Sequence, residues 1–165
     1  MRIIKMKNND LHLLGKEVEL NQKIELQGAF VGSFEQKTFN NESKYTVLAT
    51  FPSINTQVCD MQILELSRIS AKYPEFNFVS FSADLPSALN SYISSGHPVG
   101  NIQMFSDYYN HNVAKQLGIL IDEIHLLARA MFILDKENKI IYKQINQELT
   151  DQVDFDQLLN KLNSL

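Results

Sequence analysis

Residues 45–59, YTVLATFPSINTQVC, decide the fold. The first seven of these residues are mostly β-branched, aromatic or small, and this composition predicts a strand in the interior of a sheet. Pro52 stops the strand, because proline cannot donate to the hydrogen-bond ladder of a sheet. Residues 52–58 are therefore expected to form a loop, and Cys59 lies at its far end.

A helix is predicted directly after this loop, from Cys59 to Tyr73. Its apolar residues Ile63, Leu66 and Ile69 recur at spacings of three, which puts them on one face. Pro74 ends the helix, since its ring cannot continue the backbone bonding. Strand, loop and helix in this order place Cys59 at a junction between a strand and a helix.

The rest of the chain supplies further elements on both sides of this junction. On the N-terminal side, the pattern predicts a hairpin and one extended segment: Arg2–Lys7 with Leu11–Leu14, then Glu25–Val31. On the C-terminal side it predicts a strand, a helix started by Pro86, a strand, a helix closed by Gly118, two strands and a final helix: Phe76–Phe81, Ser87–Ser94, Ile102–Phe105, Asn110–Leu117, Ala130–Leu134, Lys139–Lys143 and Phe155–Leu162.

The two late strands are joined by the short polar loop 135–138, which favours an antiparallel hairpin. From Tyr45 onward the order is therefore strand–helix–strand, followed by two strands and a helix. A parallel pair with a crossover helix, combined with an antiparallel hairpin, indicates an α/β thioredoxin-like fold. We expect a central mixed sheet flanked by helices, with an N-terminal β-hairpin, in a single domain over residues 1–165.

Composition excludes several classes of protein. The chain of 165 residues is 44% hydrophobic and 21% charged, which is typical of a globular protein. It has no apolar run long enough to span a membrane and no signal-peptide core, so we expect a cytoplasmic protein without a membrane partner. Its net charge is −4 and its basic residues are not clustered, so no nucleic-acid partner is expected.

Cys59 is the only cysteine of the chain. An internal disulfide is therefore impossible, and the default expectation for a lone cysteine is a small buried apolar residue. The predicted position of Cys59 favours a different interpretation. The first amide groups of a helix lack internal partners, and the helix dipole favours negative charge there, so both stabilise a reactive thiolate.

Arg129 is the second candidate residue. It stands at the start of a strand that should lie inside the sheet, and a buried charge needs a partner. The four histidines are dispersed and no pair has the spacing of metal ligands, so neither a metal ion nor another cofactor is expected. A flanking surface ion pair is the alternative interpretation of Arg129.

The segment 52–59 has the pattern P-x-x-x-T-x-x-C, which resembles the peroxiredoxins. The longer stretch FPSINTQVCD (51–60), together with SADLP (82–86) and LLARA (126–130), resembles the thiol peroxidase subfamily. These three motifs occur in the order expected for that subfamily. The similarity runs from about Val47 to the C-terminus, and the N-terminal hairpin also fits.

The resemblance implies a role for each of four residues. Cys59 would be the peroxidatic cysteine, and the Thr56 hydroxyl would hydrogen-bond the thiolate or the peroxide. Pro52 would shield the sulfur and shape the pocket. Arg129 would hold the thiolate and polarise the peroxide. The resemblance also implies a homodimer.

One departure from the subfamily concerns recycling. A resolving cysteine usually follows the SADLP motif, but Ile93 stands at that position and Gln62 occupies the second position of a Cys-x-x-C motif. The expected function is thus reduction of hydrogen peroxide and organic hydroperoxides by one cysteine, with an external thiol as reductant, either a thioredoxin-like protein or a small-molecule thiol. The alternative is a peroxide sensor oxidised at the same cysteine, and a relic of lost activity is a third possibility.

Overall fold

The computed structural model describes all residues from Met1 to Leu165. It contains nine strands and four helices, in the order β1 (Arg2–Met6), β2 (Asn9–Leu13), β3 (Gln27–Phe30), β4 (Gln36–Thr38), β5 (Tyr45–Thr50), α1 (Gln57–Lys72), β6 (Asn77–Ser82), α2 (Pro86–Ser94), β7 (Ile102–Ser106), α3 (Asn112–Leu117), β8 (Ala130–Asp135), β9 (Ile140–Ile145) and α4 (Phe155–Asn163).

Seven of the strands form one mixed sheet in the order β4-β3-β7-β6-β5-β8-β9. Strands β5, β6 and β7 are parallel to one another, and β8 pairs with β5 in the antiparallel sense. Strands β1 and β2 form a separate antiparallel hairpin. Strand β5 lies in the interior of the sheet, as its composition predicted, and all but its first residue are buried.

The sheet has a hydrophobic core on each face because successive strand residues point to opposite sides. On one face, Leu48 belongs to the core that includes the β1–β2 hairpin and α3. On the other face, Val47 and Ala49 belong to the core that includes α1, α2 and α4. Cys59 lies in this second core and is fully buried.

The thioredoxin-like fold with its N-terminal hairpin is confirmed, while several boundaries differ from the expectation. Helix α1 begins at Gln57, two residues before the predicted start, so Cys59 lies inside its first turn. The turn of the hairpin consists of Lys7 and Asn8, with Lys7 at a φ of 57°, and Asn9 and Asp10 belong to β2. Strand β4 was not predicted, because its three residues are polar and stay at least partly exposed. No helix is both long and apolar enough to cross a membrane.

A buried carboxylate at the end of β7 connects the sheet to α3. Asp107 is 2% exposed, and its side chain accepts hydrogen bonds from the amides of Val113 and Ala114 at 3.1 and 2.9 Å. Burial raises the pKa of Asp107 to about 6, although the helix amides and the charge of Lys115 act in the opposite direction. The folded state therefore binds a proton at this site more tightly than the unfolded state does.

This linkage predicts a loss of stability as pH rises. Between the unfolded pKa near 4 and the folded pKa, the folded chain holds more protons, so the contribution of Asp107 is complete below pH 4 and is lost through pH 6. The variant Asp107→Asn has no ionisable group at this position, so its stability does not depend on this proton. Its free energy of unfolding, relative to the parent chain, should rise by on the order of 2–3 kcal/mol between pH 4 and 7 in urea titrations.

The control for this measurement is Asp154→Asn, which changes the exposed N-cap of α4. It removes a capping carboxylate without removing a buried one. A difference between Asp107→Asn and the parent that does not change with pH would contradict the prediction, because the helix amides would then fully offset burial.

Candidate active site

The loop after β5 brings Cys59 into the first turn of α1. Thr56 is the N-cap residue with an extended backbone, and the first helical bond runs from the amide of Asp60 to the carbonyl of Thr56 at 2.9 Å. The amides of Gln57, Val58 and Cys59 thus precede the bonded ladder of the helix. Their partial positive charge lies at the end of α1 that carries Cys59.

Arg129 lies one residue before β8 and is 3% exposed. Its Nη1 donates to the sulfur of Cys59 at 3.4 Å, across 70 residues of sequence. The guanidinium also donates from Nε to the carbonyl of Leu149 at 3.0 Å and from Nη1 to Oε1 of Gln62 at 3.0 Å. None of the ion pairs of the chain includes Arg129. The alternative of a surface ion pair is therefore wrong.

A buried cation without a carboxylate partner makes the sulfur its natural counter-ion. Removing a guanidinium from water is costly unless it is paired, and two neutral acceptors compensate only part of that cost. A thiolate at Cys59 would supply the missing negative charge within the low-dielectric core. The structure thus joins Cys59 and Arg129 as one charge-coupled pair.

Gln62 is a residue of this site that the sequence analysis noted only as a missing cysteine. It is fully buried on α1, and its Nε2 donates to the carbonyl of Thr50 at 3.2 Å while its Oε1 accepts from Arg129. Gln62 follows Cys59 by three positions, so both share one face of the helix. That spacing was the available signal, since a polar residue on an apolar helix face needs a buried partner.

The hydroxyl of Thr56 is placed at the exposed edge of the site. Its Oγ1 donates to the carbonyl of Ser53 at 2.9 Å and has no hydrogen bond to Cys59. Pro52 is buried at the start of the same loop. The structure therefore brings Arg129 directly to the sulfur, while Thr56 and Pro52 belong to the loop that leads to it.

Asp84 fixes this loop from the end of β6. Its carboxylate accepts from the amide of Ile54 at 2.9 Å and from the hydroxyl of Ser82 at 2.8 Å. Burial raises the pKa of Asp84, and these hydrogen bonds lower it to a smaller extent. Asp84 is the acidic residue of the SADLP motif. Its hydrogen bond to the loop before α1 explains why an acidic residue stands at this position of the motif.

Other candidate groups lie away from the sulfur. Ile93, at the position of the missing cysteine, is half-buried on α2. Two of the histidines, His111 and His125, lie near each other, with 6.2 Å between their ring centroids. No group of three or more His, Cys, Asp or Glu side chains is close enough to hold a metal ion.

Comparison with known proteins adds the family. The model of the AhpC/TSA family matches residues 17–143. A thiol peroxidase of Bacillus subtilis (strain 168) is 28% identical over 166 residues, covering 100% of this chain and 99% of the relative. A thiol peroxidase of Staphylococcus haemolyticus is 31% identical over 160 residues, covering 96% of each chain. The chain belongs to the thiol peroxidase subfamily of the AhpC/TSA family.

Solved structures agree with this family membership. A peroxiredoxin-like protein from Aquifex aeolicus superimposes with a TM-score of 0.87 at 28% identity, covering 99% of this chain and 97% of the other. A thiol peroxidase from Chromobacterium violaceum superimposes with a TM-score of 0.86 over 98% and 95% of the two chains. The identity to the second protein is 17%, so that likeness supports the fold alone.

The geometry of this peroxiredoxin predicts energetic coupling between Gln62 and Arg129. Gln62→Leu leaves the guanidinium without one acceptor, so the free energy of unfolding in urea should fall by about 2 kcal/mol. Adding Arg129→Met removes the buried charge, and the double variant should lose less than the sum of the two single losses.

The control for this coupling is Ser67→Ala, also on α1. The Ser67 hydroxyl bonds only to the carbonyl of Leu64 within the same helix, at 2.6 Å. Its effect should simply add to that of Arg129→Met. Additive losses for the Gln62 pair as well would show that Gln62 does not support the guanidinium.

Proposed function

We propose that this chain reduces hydrogen peroxide and organic hydroperoxides through Cys59, in a one-cysteine cycle completed by an external thiol. The observation that carries the proposal is the contact of 3.4 Å between the only sulfhydryl of the chain and a buried guanidinium without a carboxylate partner. Membership in the thiol peroxidase subfamily supports the same activity.

The oxidation step forms one bond and breaks one. The Cys59 thiolate attacks one oxygen of the peroxide, the O–O bond breaks, and the second oxygen leaves with the bonding electrons. That oxygen takes up a proton to give water or an alcohol, and the sulfur becomes sulfenic acid. The step needs the thiolate, the peroxide and one proton, which solvent returns in place of the one lost when the Cys59 thiol ionised.

Acidity of a thiol alone cannot make this step fast. A free cysteine with a pKa near 8.5 is roughly 3% thiolate at pH 7, so complete ionisation increases the thiolate by only about 30-fold. A lower pKa also weakens the nucleophile, by roughly tenfold for about 2.5 units at a Brønsted slope near 0.45. The remaining gain is only a few-fold.

The larger contribution must come from hydrogen-bond donors that align the two oxygens and stabilise charge on the one that leaves. Arg129 is a buried donor in contact with the sulfur, and the amides of the first turn of α1 have no partners within the helix. We assign the Thr56 hydroxyl to the peroxide, which requires that it leave its bond to the carbonyl of Ser53. Pro52 is assigned to shielding of the sulfur from water.

Recycling requires a partner, because the chain has no second cysteine. One external thiol displaces the sulfenic oxygen as water and forms a mixed disulfide with Cys59. A second thiol then releases Cys59 as the free thiol and leaves with the first as a disulfide. Either a thioredoxin-like protein or a small-molecule thiol fits this chemistry.

Location and assembly are part of the same proposal. A reducing cytoplasm would keep Cys59 available for the next cycle, and it would supply the thiol. The resemblance to the subfamily supports a homodimer, which sedimentation at several concentrations of the reduced protein would test.

The central test measures peroxide consumption with hydrogen peroxide and cumene hydroperoxide, with and without dithiothreitol, while mass spectrometry follows the sulfur. We expect sustained turnover with the thiol and a single oxidation event per chain without it. Cys59→Ser should abolish both. Because the chain has no tryptophan, oxidation is best followed by rapid quenching and alkylation.

Each other outcome of this test is informative. Rapid sulfenic acid formation without turnover would favour the peroxide sensor and contradict the enzyme. If peroxide does not oxidise Cys59, the motif of residues 52–59 would be a relic of a lost peroxidase activity. Peroxide consumption by Cys59→Ser would disprove the proposed nucleophile.

A second prediction concerns the hydroxyl of Thr56. Thr56→Val keeps the shape of the side chain and removes the donor, so the rate of Cys59 oxidation should fall by about 10²–10³-fold if the hydroxyl meets the transition state. Thr56→Ser keeps the donor and should remain within a few-fold of the parent. Equal rates for the two variants would assign Thr56 to the loop alone.

A further inference from the structure

A cavity of about 640 Å³ adjoins the helical turn that carries Cys59. Its walls come from the loop before α1, from the first turn of α1 and from α2. Gln57 and Asp60 line it from α1, and they bracket Cys59 in sequence. Since one helical turn rises about 5.4 Å, the cavity lies within roughly one turn of the sulfur along the helix.

The charged side chains that line this cavity are acidic. Asp60 and Asp84 are carboxylates, and no lysine or arginine is among the eleven lining residues. An anionic ligand would therefore be repelled.

Asp60 is the carboxylate that a ligand can reach. Its Oδ1 accepts from the hydroxyl of Tyr92 at 2.5 Å, while its Oδ2 has no hydrogen-bond partner within the protein. Tyr92 is buried, and its ring stacks on His97 with 4.1 Å between centroids. A carboxylate oxygen without a partner in the protein is a favourable acceptor for an ammonium group. Asp84, by contrast, is already engaged by Ile54 and Ser82.

We propose that this cavity binds the reductant of Cys59, and that the reductant is a low-molecular-weight thiol bearing an ammonium group. The inference rests on the proposed peroxidase function and adds the class of its second substrate. Ile93 stands where the subfamily usually has its internal reductant, and it lies on α2, the helix that forms one wall of the cavity. An external thiol bound in this cavity would reduce the Cys59 sulfenic acid, as a second cysteine does in the subfamily.

The chemistry of the bound thiol is balanced. Its sulfur attacks the sulfur of Cys59 sulfenic acid, an S–S bond forms, the S–O bond breaks, and the hydroxyl group leaves as water after taking up the thiol proton. Because Cys59 is fully buried, its turn of α1 must shift for the two sulfurs to meet. A second molecule of the same thiol then reduces the mixed disulfide.

The test isolates the reductive step. The protein is oxidised with one equivalent of hydrogen peroxide and mixed with cysteamine, 2-mercaptoethanol or 3-mercaptopropionate at matched thiolate concentrations. Mass spectrometry of quenched samples measures formation of each mixed disulfide. Cysteamine should react faster than 3-mercaptopropionate, by about three- to tenfold, as expected for partly exposed ion pairs. The preference should decrease at high salt.

The variant Asp60→Asn tests whether the preference for cysteamine arises from the cavity. It should lower the ratio of the cysteamine rate to the 2-mercaptoethanol rate by about threefold, the effect of one exposed charge pair. The matched control is Asp156→Asn, an exposed carboxylate in the first turn of α4 and outside the cavity, which should leave the ratio as in the parent. This comparison separates the cavity from the general negative charge of the chain.

The possible outcomes distinguish this inference from the proposed function. If peroxide does not oxidise Cys59, the proposed function itself fails. If Cys59 is oxidised but the three thiols react alike, or Asp60→Asn and Asp156→Asn change the ratio equally, only the inference is overturned. Reduction by a thioredoxin-like protein but by none of the small thiols would overturn it as well.

Discussion

The guanidinium of Arg129 is buried against the sulfur of Cys59 with no carboxylate beside it, and the rest of the site is arranged around this constraint. The guanidinium donates to the carbonyl of Leu149 and to the side-chain oxygen of Gln62, and neither acceptor carries a negative charge. In the proposed function, this buried cation would stabilise a thiolate at Cys59 and the charge that develops when a peroxide bond breaks. One interaction can therefore serve both the resting enzyme and the transition state.

The sheet makes this contact possible. Strand β5 pairs with β6 on one side and with β8 on the other, so the loop that leads to Cys59 and the residue that precedes β8 lie at the same end of neighbouring strands. Thr50 pairs directly with Ala130, which follows Arg129. The antiparallel register thus brings two residues 70 positions apart into hydrogen-bond distance.

The missing second cysteine changes what the surroundings of the site must do. In a chain with one cysteine, the proposed sulfenic acid must be reduced by a thiol from outside, so the region around the first turn of α1 has to accommodate two substrates of different chemistry. The buried Arg129 is the donor proposed for the peroxide, and the cavity between α1 and α2 is the site proposed for a small thiol. The separation follows from where the charges lie: the cation is inside the core and the carboxylates line the cavity.

The sequence by itself determined most of the elements, the fold and the likeness to the thiol peroxidases, because alternation, helical spacing and proline positions are local properties of the chain. It also singled out Cys59 and Arg129, which the family resemblance already paired. Tertiary structure alone decided their contact distance, and it added Gln62 and Asp84, whose hydrogen bonds reach residues far away in the sequence. It also placed the Thr56 hydroxyl on the carbonyl of Ser53. Such contacts are set by strand register and by how the loop folds back, and neither property is written in the local pattern of residues.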